Sequence, residues 1–372
     1  MIKQNNKTDR ILFIDIAKFY GLVLVYYGHI VEQVMYQYNH AAFYHFKFIY
    51  SFHMPLFFLL AGYIFKDERL ALGSFLKQRF ASRFIPLIFF NVLLILLTLV
   101  FTAGVSFVDL TSAKGYEQGI MATLLGFPVF NGPTWFLFCL FTVEIIHFFV
   151  SPYLTTIKKI LIVAACFYFG GWLLNSKVQI FGFPRMIAFW FIHEAVVVYA
   201  FYLLGIALRK WGYFERTPSL FYAGVGSVAG LLFVYFTYDL NQGSFRFIQA
   251  VIILISNHGH ILLFPATAIV GSLFIIFLAQ LGPTYKIFLL IGQNALIFFC
   301  LNGIFYHFVN TRAAHWMAMN LPSSPWIVFG FCSVVTVASM ALCIPAMFLF
   351  NKYIPQLVGK PKIKGPLFKN FI

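Results

Sequence analysis

Residues 11–30 read ILFIDIAKFYGLVLVYYGHI, with Asp15, Lys18 and His29 set into an otherwise apolar run and Glu32 just beyond it. At about 1.5 Å of rise per residue, such a run crosses a hydrocarbon core of about 30 Å as a helix. Ionisable side chains are costly inside a bilayer, so the helix must turn them toward protein and away from lipid. The polar start MIKQNNKTDR is compatible with a signal peptide. The charges within the run, and the lack of a small-residue cleavage site after it, predict instead a retained span.

The rest of the chain agrees with this reading. Of 372 residues, 61% are hydrophobic and 10% charged, with 50 phenylalanines, whereas soluble domains carry about 25% charged residues. Only lipid can serve as solvent for so much apolar surface. Runs long enough to span lie at about 11–30, 48–65, 84–104, 134–151, 157–174, 186–208, 218–237, 260–281, 287–309 and 326–350. The expectation is an all-α polytopic integral membrane protein with about ten transmembrane helices. A shorter run, Phe245–Ser256, is expected to be interfacial or re-entrant. The five cysteines (Cys139, Cys166, Cys300, Cys332, Cys343) have no paired spacing and read as small buried hydrophobes.

Loop charges predict the orientation. With the N-terminus inside, 19 of the 26 Lys and Arg fall on the inner side, among them Arg79, Arg83, Lys158, Lys159, Arg209 and Lys210. The positive-inside rule then places both termini in the cytoplasm, in a plasma (bacterial inner) membrane. The +15 net charge is thereby a topology signal and calls for no nucleic-acid partner.

At about 100° per residue, the eleven steps from Lys18 to His29 leave about 20° between them, and Asp15 and Glu32 fall within about 60° of the same line. All four share one face, with Lys18 about 16 Å inward of His29. Other polar residues sort by depth: His53, Trp135, His193 and Glu194 in outer halves of their spans, Glu144 near the middle, and Arg79 and Arg83 in an inner basic loop. Plainer readings exist for several. Asp15 and Lys18 can neutralise each other, Trp135 can belong to an aromatic belt, Glu144 and His147 are one turn apart and can pair, and His193–Glu194 can be a packing pair. His258 and His260 (NHGH) are weak metal ligands, and no metal is expected.

Several of these segments resemble membrane acyltransferase family three, with its fucose 4-O-acetylase-like and cell-surface polysaccharide O-acetyltransferase branch as the nearest likeness. RILFIDIAKFYGLVLVYYGH (10–29) is similar to the opening pattern of a basic residue, ten residues, then His, with Lys18 where Arg is commoner. FIYSFHMPLFFLLAGYIF (48–65) is similar to the Phe-rich signature, with Ala61 where Ser is usual. Looser likenesses are FLKQRFASRFIP (75–86), GPTWFLFCLFTVEII (132–146), YAFYLLGIALRK (199–210) and IGQNALIFFCLNG (291–303), the last with Asn302 where a His is common.

The resemblance implies transfer of an acyl group, usually acetyl from acetyl-CoA, to a carbohydrate hydroxyl. The catalytic role falls on His29, with Glu32 as its orienting group and Asp15 compensating Lys18. Lys18, Arg79 and Arg83 are the expected donor contacts, and His53, Trp135, Glu144 and His193 the candidate acceptor contacts. One acyltransferase-like domain is expected over residues 1–355, followed by a basic cytoplasmic tail, 356–372. The bilayer, acyl-CoA and a polysaccharide or lipid-linked sugar are the expected partners. One-step transfer and an acyl-enzyme route fit equally. A transporter or flippase for an anionic or glycan-lipid substrate is the alternative, but the two halves show neither an internal repeat nor matching broken helices.

Overall fold

A computed structural model describes residues 11–66, 70–101, 109–178, 189–215, 219–242 and 249–372. The helices are α1 (Leu12–Met35), α2 (His40–Tyr50), α3 (His53–Ile64), α4 (Leu72–Arg79), α5 (Ile85–Val100), α6 (Ala113–Leu124), α7 (Trp135–Val150) and α8 (Ile157–Leu173). They continue with α9 (Ile192–Trp211), α10 (Leu220–Thr237), α11 (Leu263–Leu281), α12 (Lys286–Gln293), α13 (Ala295–Phe305), α14 (Thr311–Asn320) and α15 (Pro325–Tyr353). Among the described residues, nine helical stretches are long and apolar enough to cross a membrane, and the bent pair Lys286–Gln293 and Ala295–Asn320 makes a tenth. The protein is an all-α polytopic membrane protein. Helices suit lipid because every backbone hydrogen bond closes within the segment.

Burial separates a core from a rim. The spans containing α1, α2–α3, α7 and α9 are 61–78% buried, whereas those of α5, α8, α10 and α15 are 22–33% buried and turn most of their surface outward. The polar residues singled out above lie mainly on the buried four. Where α3 crosses α9, Gly62 and Gly205 bring the backbones into contact. A Cβ on Gly62 would lie 1.9 Å from the Tyr202 carbonyl oxygen, and one on Gly205 2.0 Å from that of Leu59. Without a hydrophobic drive between helices in lipid, such small-residue contacts are a main source of packing energy.

Three spans differ from the sequence expectation. The second begins at His40 and breaks at Ser51–Phe52, because Pro55 lacks an N–H and its ring clashes with the carbonyl four residues back, that of Ser51. His53 opens α3, immediately beyond this break. In the third, the expected basic loop is helical: α4 runs through a π-helical turn, Phe80–Phe84, into α5. In the ninth, α12 and the helix from Ala295 meet at 81° around Asn294, whose φ of −110° leaves the helical region. The described part of the Phe245–Ser256 run folds as a tight turn, with a bridge between Ile252 and Asn257. Arg185, expected to head the sixth span, lies outside the described residues.

Candidate active site

The outer part of α1 carries a carboxylate held from several sides. Glu32 Oε2 lies 3.2 Å from His29 Nδ1 and accepts from the Tyr50 hydroxyl at 3.0 Å. Its Oε1 accepts from Tyr36 at 3.1 Å and from Tyr306 at 3.4 Å. Three tyrosine hydroxyls and the His29 ring thus surround the Glu32 carboxylate. That carboxylate in turn favours the imidazole tautomer with its proton on Nδ1, which leaves the Nε2 lone pair to act as a base. Burial, followed by the Glu32 charge, raises the pKa of Tyr36, which keeps its phenol a donor. The Tyr306 ring meets the His29 ring edge-on at 5.1 Å. His53 stands behind Tyr50 (ring centroids 4.7 Å apart) and donates from Nδ1 to the Ile49 carbonyl at 2.9 Å.

The inner part of α1 opens on a cavity of about 240 Å³ whose wall includes Lys18, Arg83 and Lys360. Asp15 accepts from Lys18 at 3.3 Å. The cavity is also lined by Phe57, Phe136 and Phe299, with ring centroids 5.4–6.1 Å apart. A larger cavity of about 440 Å³ is lined by Lys66, Arg209 and Lys210, but its cations serve helix ends. Arg209 donates to the carbonyls of Tyr63 and Phe65, and Lys210 to that of Leu154, where partial negative charge collects at C-termini. The Lys18 cavity borders the start of α13 together with the last residues of α12 and α3. Ala61 lines that cavity too. A hydroxyl there meets open space, so Ala61→Ser is expected to keep wild-type melting and activity; a folded but inactive variant would show that the likeness of residues 48–65 to the family signature is misaligned.

Arg79 and Arg83 converge on one acceptor, Glu144 Oε1, at 3.4 and 3.0 Å. The π-helical turn between them directs both guanidinium groups to the same side. Glu144, expected as an acceptor contact or as the partner of His147, is 2% exposed and engaged with the arginines. His147 Nδ1 lies 3.0 Å from the Tyr199 hydroxyl instead.

Trp135 and His193 belong to a separate cluster. Trp135 packs on Phe191, which stacks on His193. Next in the chain, the fully buried Glu194 accepts from Ser256 Oγ at 2.6 Å and pairs with His258 Nε2 at 2.8 Å. This pins the 252–258 turn to α9. Trp190, Phe191 and Ser256 all have φ between 51° and 58°, a region that residues other than glycine rarely adopt. His258 is thus a partner of a carboxylate, and among the described residues no three His, Cys, Asp or Glu side chains gather as a metal site.

The structure therefore joins His29, Glu32 and His53, sets Lys18 with Asp15 and near Arg83, and groups Trp135 with His193. Sequence reasoning missed Tyr36, Tyr50, Tyr306 and Lys360. Tyr36 lies one helical turn after Glu32 and its spacing could have marked it, but Tyr50 and Tyr306 are two of 20 tyrosines in an aromatic-rich chain with no local signal. Asn302, where the sequence departs from its family likeness, is fully buried, and neither amide atom has a hydrogen-bond partner among the described residues. It lies one turn before Tyr306, and the intervening Phe305 packs on Tyr26 of α1.

A His–carboxylate pair and a cation-lined cavity thus both lie along α1, a largely buried membrane helix. The chain belongs to acyltransferase family 3, whose model, an acyltransferase domain, matches residues 11–344, from α1 into α15. No curated protein and no solved structure matches it.

Proposed function

We propose that the protein transfers an acyl group, acetyl in the simplest case, from acyl-CoA on the cytoplasmic side to a carbohydrate hydroxyl presented on the other side. Both termini then face the cytoplasm, and the membrane is the bacterial plasma membrane. The observation that carries this reading is the placement of Lys18 and His29 on one buried helix face. Lys18 lines a cavity shared with two other cations, and His29 is backed by a held carboxylate about 16 Å further along. CoA is a polyanion that cannot enter lipid, but its extended pantetheine arm can bridge such a distance. The motifs at 10–29 and 48–65 favour the fucose 4-O-acetylase-like, polysaccharide O-acetyltransferase branch.

In this mechanism His29 Nε2 takes the proton of the sugar hydroxyl as its oxygen attacks the thioester carbonyl. A C–O bond forms, the C–S bond breaks, and the CoA sulfur leaves with the proton returned from the imidazolium. Glu32 stabilises that imidazolium through Nδ1. Asp15 balances the Lys18 charge, and Lys18, Arg79 and Arg83 supply positive potential for the CoA phosphates. Arg83 lines the cavity directly, and Arg79 holds the shared Glu144. Membership of an acyltransferase family favours this reading over transport.

Thermal melting of the detergent-purified protein with acetyl-CoA tests it. A ligand at 100 times its Kd stabilises by about 2.7 kcal/mol, a clear rise in melting temperature. Wild type is expected to show that rise, and Lys18→Ala and Arg83→Ala to lose most of it. Lys18→Ala should also impair use of the donor more than use of the acceptor. No shift of the wild type at millimolar acetyl-CoA would overturn the donor assignment.

A further inference from the structure

The start of the expected basic cytoplasmic tail, Val358–Lys360, lines the cavity. After α15 a short 3₁₀ turn, Pro355–Val358, leads to Gly359, whose φ of 86° requires glycine and reverses the chain. The segment beyond returns on itself: Phe371 N–H donates to the Pro361 carbonyl at 2.8 Å, and the buried Gln356 donates to the Phe368 carbonyl at 2.7 Å. Val358, Gly359 and Lys360 form part of the wall that Lys18 and Arg83 also line. Lys360 Nζ donates to Asn294 Oδ1 at 2.7 Å and to Asn351 Oδ1 at 2.6 Å, and Asn351 donates to Asn294 Oδ1 at 2.9 Å.

That bond pattern is specific. Asn294 is the residue at which α12 and α13 part, and Asn351 lies in the last turns of α15, so the ammonium is held between a helix break and a helix end. Both amide oxygens are neutral. They orient the ammonium while adding no negative charge to the cavity. A lysine needed only to cover a hydrophobic surface would turn its charge to water.

We propose that the segment Pro355–Lys360 is part of the donor site, and that Lys360 is a phosphate contact selecting a nucleotide-bearing thioester. The inference rests on the acyl-CoA reading above. The ligand chemistry is the diphosphate of CoA, which Lys18, Arg83 and Lys360 would meet from α1, the π-helical turn and the C-terminal segment. This segment lies beyond the residues that the family model matches.

The test is CoA affinity of the full chain in detergent, measured by isothermal titration for wild type, Lys360→Gln and Lys360→Arg, with the melting temperature of each without ligand. Glutamine can still donate to the two asparagines but carries no charge. Loss of one charge-assisted hydrogen bond is expected to weaken CoA binding about tenfold or more in Lys360→Gln, with melting near wild type. Lys360→Arg should keep most of the affinity. Unchanged affinity in Lys360→Gln, or equal losses in both variants, would overturn the role of Lys360 and leave the acyl-CoA reading standing. A wild type that does not bind CoA would overturn both.

Discussion

His29→Ala is expected to lower acyl transfer by about 10²–10⁴-fold, the usual range for removing a positioned general base. Melting temperature and the acetyl-CoA-induced shift should stay near wild type. His29 lies at the other end of the shared helix face from the cation-lined cavity, beside Glu32 and the Tyr306 ring. Glu32→Gln should fall between the variant and wild type, because it removes the charge opposite the imidazolium and keeps a hydrogen-bonding group for the three tyrosines. The readout is transfer of labelled acetyl to a carbohydrate acceptor, with folding followed by melting. A folded His29→Ala protein with wild-type transfer would place the catalytic base elsewhere, and the Ser256–Glu194–His258 cluster would be the next place to look.

Glu144→Ala should act on stability first. Glu144 is 2% exposed and is the acceptor that Arg79 and Arg83 share. Removing one member of a buried ion pair leaves the others uncompensated, which costs about 3–5 kcal/mol when both partners are fully buried. The two guanidinium groups keep 16% and 22% exposure, and water can offset part of the loss, so about 2–4 kcal/mol is expected. Melting in detergent should drop markedly, with donor affinity falling as well, because Arg83 loses the group that aims it at the cavity. A variant that melts like wild type but fails on the sugar acceptor alone would return Glu144 to the acceptor-contact role that its depth in the span suggested.

Much of the architecture is legible in the chain because lipid leaves so few options. A run of about 20 apolar residues must become a helix, since every backbone group has to be satisfied within it. Periodicity then sets which side chains share a face, and Asp15, Lys18, His29 and Glu32 were assignable to one stripe of α1 on that ground alone. The family likeness rested on the same stripe and on the Phe-rich second span, and the family match over residues 11–344 agrees with it.

What periodicity does not carry is the identity of partners on other helices. The depth of Glu144 placed it in the membrane, but its partners come from a π-helical turn more than sixty residues earlier, where a basic loop was expected. Tyr50 of α2 and Tyr306 of the turn after α13 meet at Glu32 only because those segments pack there. The break at Asn294 gave Lys360 a mooring. The chain's composition and spacing determine the bundle, its helices and the polar face of α1, because those follow from solvent and local geometry. The tertiary structure decides which charge meets which, because that depends on helix breaks and crossings between residues hundreds of positions apart.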